Sequence, residues 1–144
     1  MIKVVTDEID KFAIELGQMS DEVRFDVQKV LTKTGFKIEA SAKANLTNNR
    51  SVKTGHLRRG IVTDVGNMKV TVHTSNLKYA PMVEFGTRSH IIRAKNKKAL
   101  YWKGASHPVK QVNHPGSKAK PYLIPAFEKE KDQFLEKLKE VIRW

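Results

Sequence analysis

The chain has 144 residues, no cysteine and a formal net charge of +12. That length fits one domain with its own hydrophobic core, and the missing cysteines exclude disulfides and thiolate metal sites. A charge of this size repels copies of the same chain and attracts polyanions.

The charge is unevenly spread. Residues 1–49 carry 7 basic and 8 acidic side chains, and residues 126–144 carry 5 of each. Residues 50–125 carry 15 basic side chains against two acids, Asp64 and Glu84. Two balanced flanks therefore enclose a strongly basic middle. The start, "MIKVVTDEIDKF", is acidic and amphipathic and lacks the basic and apolar run of a signal peptide. No apolar window reaches the length of a membrane span. The expectation is a soluble, intracellular protein.

Taken in order, residues 1–49 read as helical. Ile9, Phe12 and Leu16 recur at helical spacing, with Thr6 or Asp7 as a cap and Gly17 as a stop. Ser20 caps a second helix, whose first turn holds Asp21 and Glu22. Val23, Val27, Val30, Leu31 and Ile38 make its apolar stripe, which Gly35 interrupts at a helix-propensity cost of about 1 kcal/mol. Residues 54–87 read as sheet. "GIVTDV" and "MKVTVHT" alternate, with Val70 and Val72 on one face and Gly66-Asn67 as the hairpin turn. "YAPMVEF" is predicted to be a third strand, with Pro81 at a bulge, an edge or the strand's start.

Residues 88–120 hold many basic side chains and no acid, interrupted by short apolar pieces. They are expected to form a long extended hairpin or arm, with Leu100 and Trp102 on one face. Residues 121–144 read as a last helix, with Pro125 in its first turn and Phe127, Phe134, Leu138 and Val141 on its apolar side. Glu128, Glu130 and Glu136 are placed on its wet face among lysines. The predicted fold class is α+β: N-terminal helices and a C-terminal helix packed on an antiparallel sheet, as a single domain over 1–144.

Chemistry is scarce. Five histidines (His56, His73, His90, His107 and His114) lack the tight spacing and the neighbouring acids of a metal site. The pairs His107-Pro108 and His114-Pro115 read instead as turn formers, because the residue before proline is held extended. "TGHLRRG" lacks the Lys-Ser/Thr ending of a phosphate loop and precedes a strand. No paired carboxylates point to acid–base work. No catalytic residue, metal or cofactor is expected. Glu84, the last acid before a long basic stretch, is expected in a half-buried strand beside Phe85, ion-paired with Arg88 or Arg58.

Four blocks carry a resemblance: "TGHLRRGI" (54–61), "YAPMVEFGTR" (79–88), "KKALYWKG" (97–104) and "HPGSKAKPYLIPAFEKE" (114–130). In this order they resemble the tail-component family of long-tailed phages and prophages, the neck or tail-completion proteins. The positions that match are Gly55, Leu57, Arg58, Tyr79, Glu84, Phe85, Gly86, Thr87, Arg88, His114, Pro115, Gly116, Pro121, Pro125 and Phe127. Tyr122 stands where Phe is frequent. The resemblance implies a non-enzymatic virion protein that forms a ring, commonly six-fold, in the neck at the head-proximal end of the tail. It would be made in the host cytoplasm. Its partners would be further copies, head-completion or stopper proteins, tail-tube or tail-terminator proteins, and genomic DNA passing through without sequence recognition. No membrane is implied. Arg93, Lys95, Lys97, Lys98, Lys103, Lys110, Lys118 and Lys120 would face that DNA or acidic neighbours. Two other readings stand beside it: a basic nucleic-acid-binding monomer or dimer, and a metal-dependent nuclease using His90, His107 or His114 with Glu84.

Overall fold

In the computed structural model, the described residues are 20–142, except 52 and 97. The expected helix around Ile9, Phe12 and Leu16 lies outside them. Helix α1 (Asp21–Asn48) opens with the Ser20 hydroxyl accepting from the Val23 amide at 3.4 Å, as the sequence indicated. Its 28 residues span about 42 Å. A short helix α2 (His56–Gly60) leads into strand β1 (Ile61–Gly66), which pairs antiparallel with β2 (Lys69–Thr74). Helix α3 (Ala80–Phe85) follows. Strands β3 (His90–Arg93) and β4 (Gln111–His114) form a second antiparallel pair, and α4 (Leu123–Ile142) ends the described chain. Helices with two small antiparallel sheets make the fold α+β.

Helix α1 is the hub, packing on α4 and on both strands of the first hairpin. One end of its buried stripe, Val27 and Leu31, meets Val70, Phe134 and Leu138. The other, Ile38, Ala42 and Leu46, meets Ile61, Val72, Tyr122, Leu123 and Ala126. Gly35 sits between them and is buried. A Cβ there would collide with Val70 Cγ1 and lie 2.9 Å from Thr63 Cγ2. The glycine that looked like a helix defect is thus what lets α1 approach the hairpin. Gly35→Ala gains about 1 kcal/mol of helix propensity against an overpacking cost of about 1–3 kcal/mol. A net loss of about 1 kcal/mol, read by thermal denaturation, is the expected outcome.

Three expectations are corrected. The hairpin loop is Asn67-Met68, one residue later than the Gly66-Asn67 turn, because Gly66 pairs with Lys69. Met68 takes a left-handed φ of 50° and its amide donates to Gln28 Oε1 at 2.6 Å, so α1 itself holds the turn. "YAPMVEF" is helix α3 and not a strand, with Pro81 in its first turn, where a missing N–H costs nothing. Glu130 is not on the wet face. It is 7% exposed and lies 3.8 Å from Lys37 Nζ across the α1–α4 contact.

Glu39 on α1 bridges to the hairpin, accepting from the Thr63 hydroxyl at 2.6 Å and pairing with Lys43. Burial pushes its carboxyl up, but Lys43 and Thr63 outweigh this and hold it below the ordinary 4.5. A depressed folded value means the stabilisation is complete above the unfolded value and is lost as pH falls through the folded one. The stability difference between wild type and Glu39→Gln is therefore expected to shrink as pH falls from about 6 to about 3, measured by denaturant titration at each pH.

Candidate functional site

The first turn of α4 starts at Leu123, preceded by Pro121 and Tyr122, neither of which can cap it. The first amides of a helix have no intrahelical partner and need one from elsewhere. Glu84, on α3, supplies it. Its Oε2 accepts from the amides of Tyr122 at 2.9 Å and Leu123 at 3.0 Å, and its Oε1 accepts from Ile124 at 3.0 Å. The side chain is 1% exposed. The predicted ion pair with Arg88 or Arg58 is thereby corrected. Both arginines are exposed, and among the described residues no cation pairs with Glu84. Three convergent N–H donors at a positive helix end satisfy the acid, so no arginine is needed.

The chain on either side of Glu84 is tied down as well. Val83 O accepts from Lys120 N at 2.8 Å, and Thr87 and Ser117 exchange both backbone bonds at 2.9 and 3.0 Å. Asn45 of α1 and Asn49, which caps its C-terminus, donate to the carbonyls of Tyr122 and Pro121 at 3.0 and 2.8 Å. Gly86 and Gly116 cross here with φ of 72° and 89°. The "EFGTR" and "HPG…KPYL" blocks, about thirty residues apart in sequence, are two halves of one junction. Tyr122 is fully buried in it. Burial first, then the Glu84 and Tyr79 charges, push its phenol above the ordinary value of 10.0.

Beyond the junction, pairing is confined to the four-residue β3 and β4 and to an isolated Leu100–Val109 bridge. Every residue of β3 is exposed, including Ile91 and Ile92; so are Tyr101 and Trp102. The two-stranded ribbon contributes nothing to either core cluster. The rings of His90 and His114 lie 5.1 Å apart at its base, His90 Nδ1 is 2.9 Å from Arg88 O, and His114 Nδ1 accepts from Gly116 N.

The other candidate residues fall around this frame. Arg93 faces Gln111 in the β3–β4 register. Lys95, Lys98, Lys103 and Lys110 are exposed between the strands, and Lys118 and Lys120 are exposed on the return. Lys97 lies outside the described residues. Tyr79, at the start of α3, and Phe85, at its end, are exposed, Pro115 and Pro125 are exposed, and Phe127 packs half-buried on the core. Asp64, the other acid of the basic middle, lies 2.8 Å from His73 Nε2. Among the described residues, no lysine or arginine of 50–125 is in a salt bridge. Among the described residues no cluster of three or more His, Asp and Glu side chains is placed to hold a metal ion. No described helix is long and apolar enough to cross a membrane.

Sequence reasoning missed the capping role of Glu84, the two asparagine ties and the exposed Met82. The signal for the first was present: a strong C-terminal helix pattern with no Ser, Thr, Asp or Asn at its start. Among known proteins, the family model described as "Bacteriophage HK97-gp10, putative tail-component" matches residues 10–86. No curated protein and no solved structure matches the chain. The matched span includes "TGHLRRGI" and ends at Gly86, inside the junction; the "HPG…KPYL" half lies beyond it.

Proposed function

We propose a role from the premise that this chain belongs to the HK97-gp10-like family of bacteriophage tail components: it is a ring-forming subunit of the neck, completing the head-proximal end of the tail. The coarser role, a structural component of the phage tail and so of the virion, follows from the family itself. The observation that carries the finer one is the exposed β3–β4 ribbon pinned to the body at the Glu84 junction. A two-stranded ribbon alone is marginal in water, and this one shows Ile91, Ile92 and Trp102 to solvent. Packing against a neighbouring subunit would cover them. Repeated with a rotation that closes, such a contact makes a ring; six copies would match a six-fold tube. Tyr79, Phe85 and the junction residues Gly86, Thr87, His114, Pro115, Gly116 and Pro121 would set the ribbon's angle or border the contact.

The unpaired basic side chains fit a passage for DNA, held by backbone charge without base reading. They also support the second reading, a duplex-binding protein acting alone. The two separate by mass and by salt. A ring subunit is expected to run as a closed oligomer in native mass measurement, alone or once mixed with tail tubes. A persistent monomer that ignores tail tubes, yet binds duplex DNA with a log–log salt slope of about −0.9 per neutralised phosphate, would favour the second reading.

A further inference from the structure

A groove of about 520 Å³ opens where the end of α1, α2, α3 and residues 117–120 meet. Its apolar lining includes Leu57, Tyr79, Met82 and Val83. Its basic lining is Arg50, Lys53, Arg58, Lys118 and Lys120, and among the described residues no acid lines it. Met82 on α3 is 54% exposed and Tyr79, the residue that caps α3, is 41% exposed; three residues apart, they lie on the same side. Exposed Met and Tyr set in a cationic rim are the composition of a docking site.

We propose that this groove binds an acidic segment of a different protein, one that inserts an apolar side chain beside Met82 and sets carboxylates against the five basic residues. The charges choose the occupant. No salt bridge satisfies the rim within the described chain, and a second copy would bring another +12. A duplex would place phosphates over the lysines but leave the apolar floor uncovered, since a phosphate backbone has nothing to put there. The inference does not depend on ring formation, because binding is read on the isolated full chain, whereas the ring is read by mass.

The test is fluorescence anisotropy with a labelled peptide of about twelve residues, a central Phe-Leu pair flanked by glutamates. Saturable binding is expected, weakened about tenfold or more by Met82→Glu and, separately, by replacing the Phe-Leu pair with Ala-Ala. Lys118→Ala with Lys120→Ala should weaken it similarly and flatten its salt dependence. Circular dichroism keeps these results apart from unfolding. A short duplex that binds more tightly than the peptide and is indifferent to Met82→Gln would overturn the proposal in favour of nucleic acid. Wild type that ignores the peptide, together with a Met82→Glu chain that melts several degrees lower, would overturn it in favour of the chain's own residues.

Discussion

Glu84→Ala is expected to lower the free energy of unfolding by about 3–5 kcal/mol, the largest effect of any single acid among the described residues. Three amides at the start of α4 lose their acceptor at once, and two of the three bonds are fully buried. Each orphaned buried donor costs about 1–3 kcal/mol, and the terms are not fully additive. Because a domain of this size has about 5–15 kcal/mol in total, much of the margin goes. Glu84→Gln separates the contributions. Its carbonyl oxygen can still serve Tyr122 and Leu123, while its amide nitrogen opposes the Ile124 N–H. A loss of about 1–2 kcal/mol is expected for Gln, read by urea titration with an unchanged slope. Arg88→Ala should change little, within about 0.5 kcal/mol; an arginine effect as large as that of Glu84→Ala would restore the ion pair and sink the capping account.

The second large effect is at the glycine crossing. A Cβ on Gly86 would lie 2.5 Å from Ser117 O and 2.7 Å from Ala119 N; one on Gly116 would strike Thr87 O and lie 2.9 Å from Arg88 C. Each obstacle is backbone, and Thr87 and Ser117 are locked by their mutual hydrogen bonds, so it cannot rotate aside as a side chain end can. Left-handed strain of about 1–3 kcal/mol adds to the overlap, and Gly86→Ala or Gly116→Ala is expected to cost about 3 kcal/mol or more. Gly104 is the control. Its φ is 100°, but nothing lies within 4 Å of a Cβ there, so Gly104→Ala carries the strain alone. If all three substitutions cost the same, the close crossing plays no part and only backbone conformation matters.

These two sites show what a single sequence makes legible. Ser20, the α1 stripe, the β1–β2 pair and α4 followed from periodicity and capping chemistry, because those signals are local. The partner of Glu84 did not. Backbone amides leave no mark in sequence, so an isolated acid among lysines invited an arginine. The reading of α3 as a strand failed for a different reason: a seven-residue stretch is short enough to serve either period, and as a helix it buries only Ala80 and Glu84. Gly35 was read as a cost to the helix because its benefit, contact with Val70 and Thr63, lies across the fold. Glu130 looked solvent-facing because its partner Lys37 is on another helix. The contact between "EFGTR" and "HPG…KPYL" was not legible either, because it is made by backbone bonds between Thr87 and Ser117 across about thirty residues of chain.

The junction matters for function only if it aims the ribbon at a neighbour in a tail. Electron microscopy of the purified chain mixed with tail tubes tests this most directly. The account predicts a closed ring at one end of each tube, with the ribbon around residues 90–114 lying against the next subunit. Tubes whose ends stay bare, or chain density scattered along the tube wall, would contradict it.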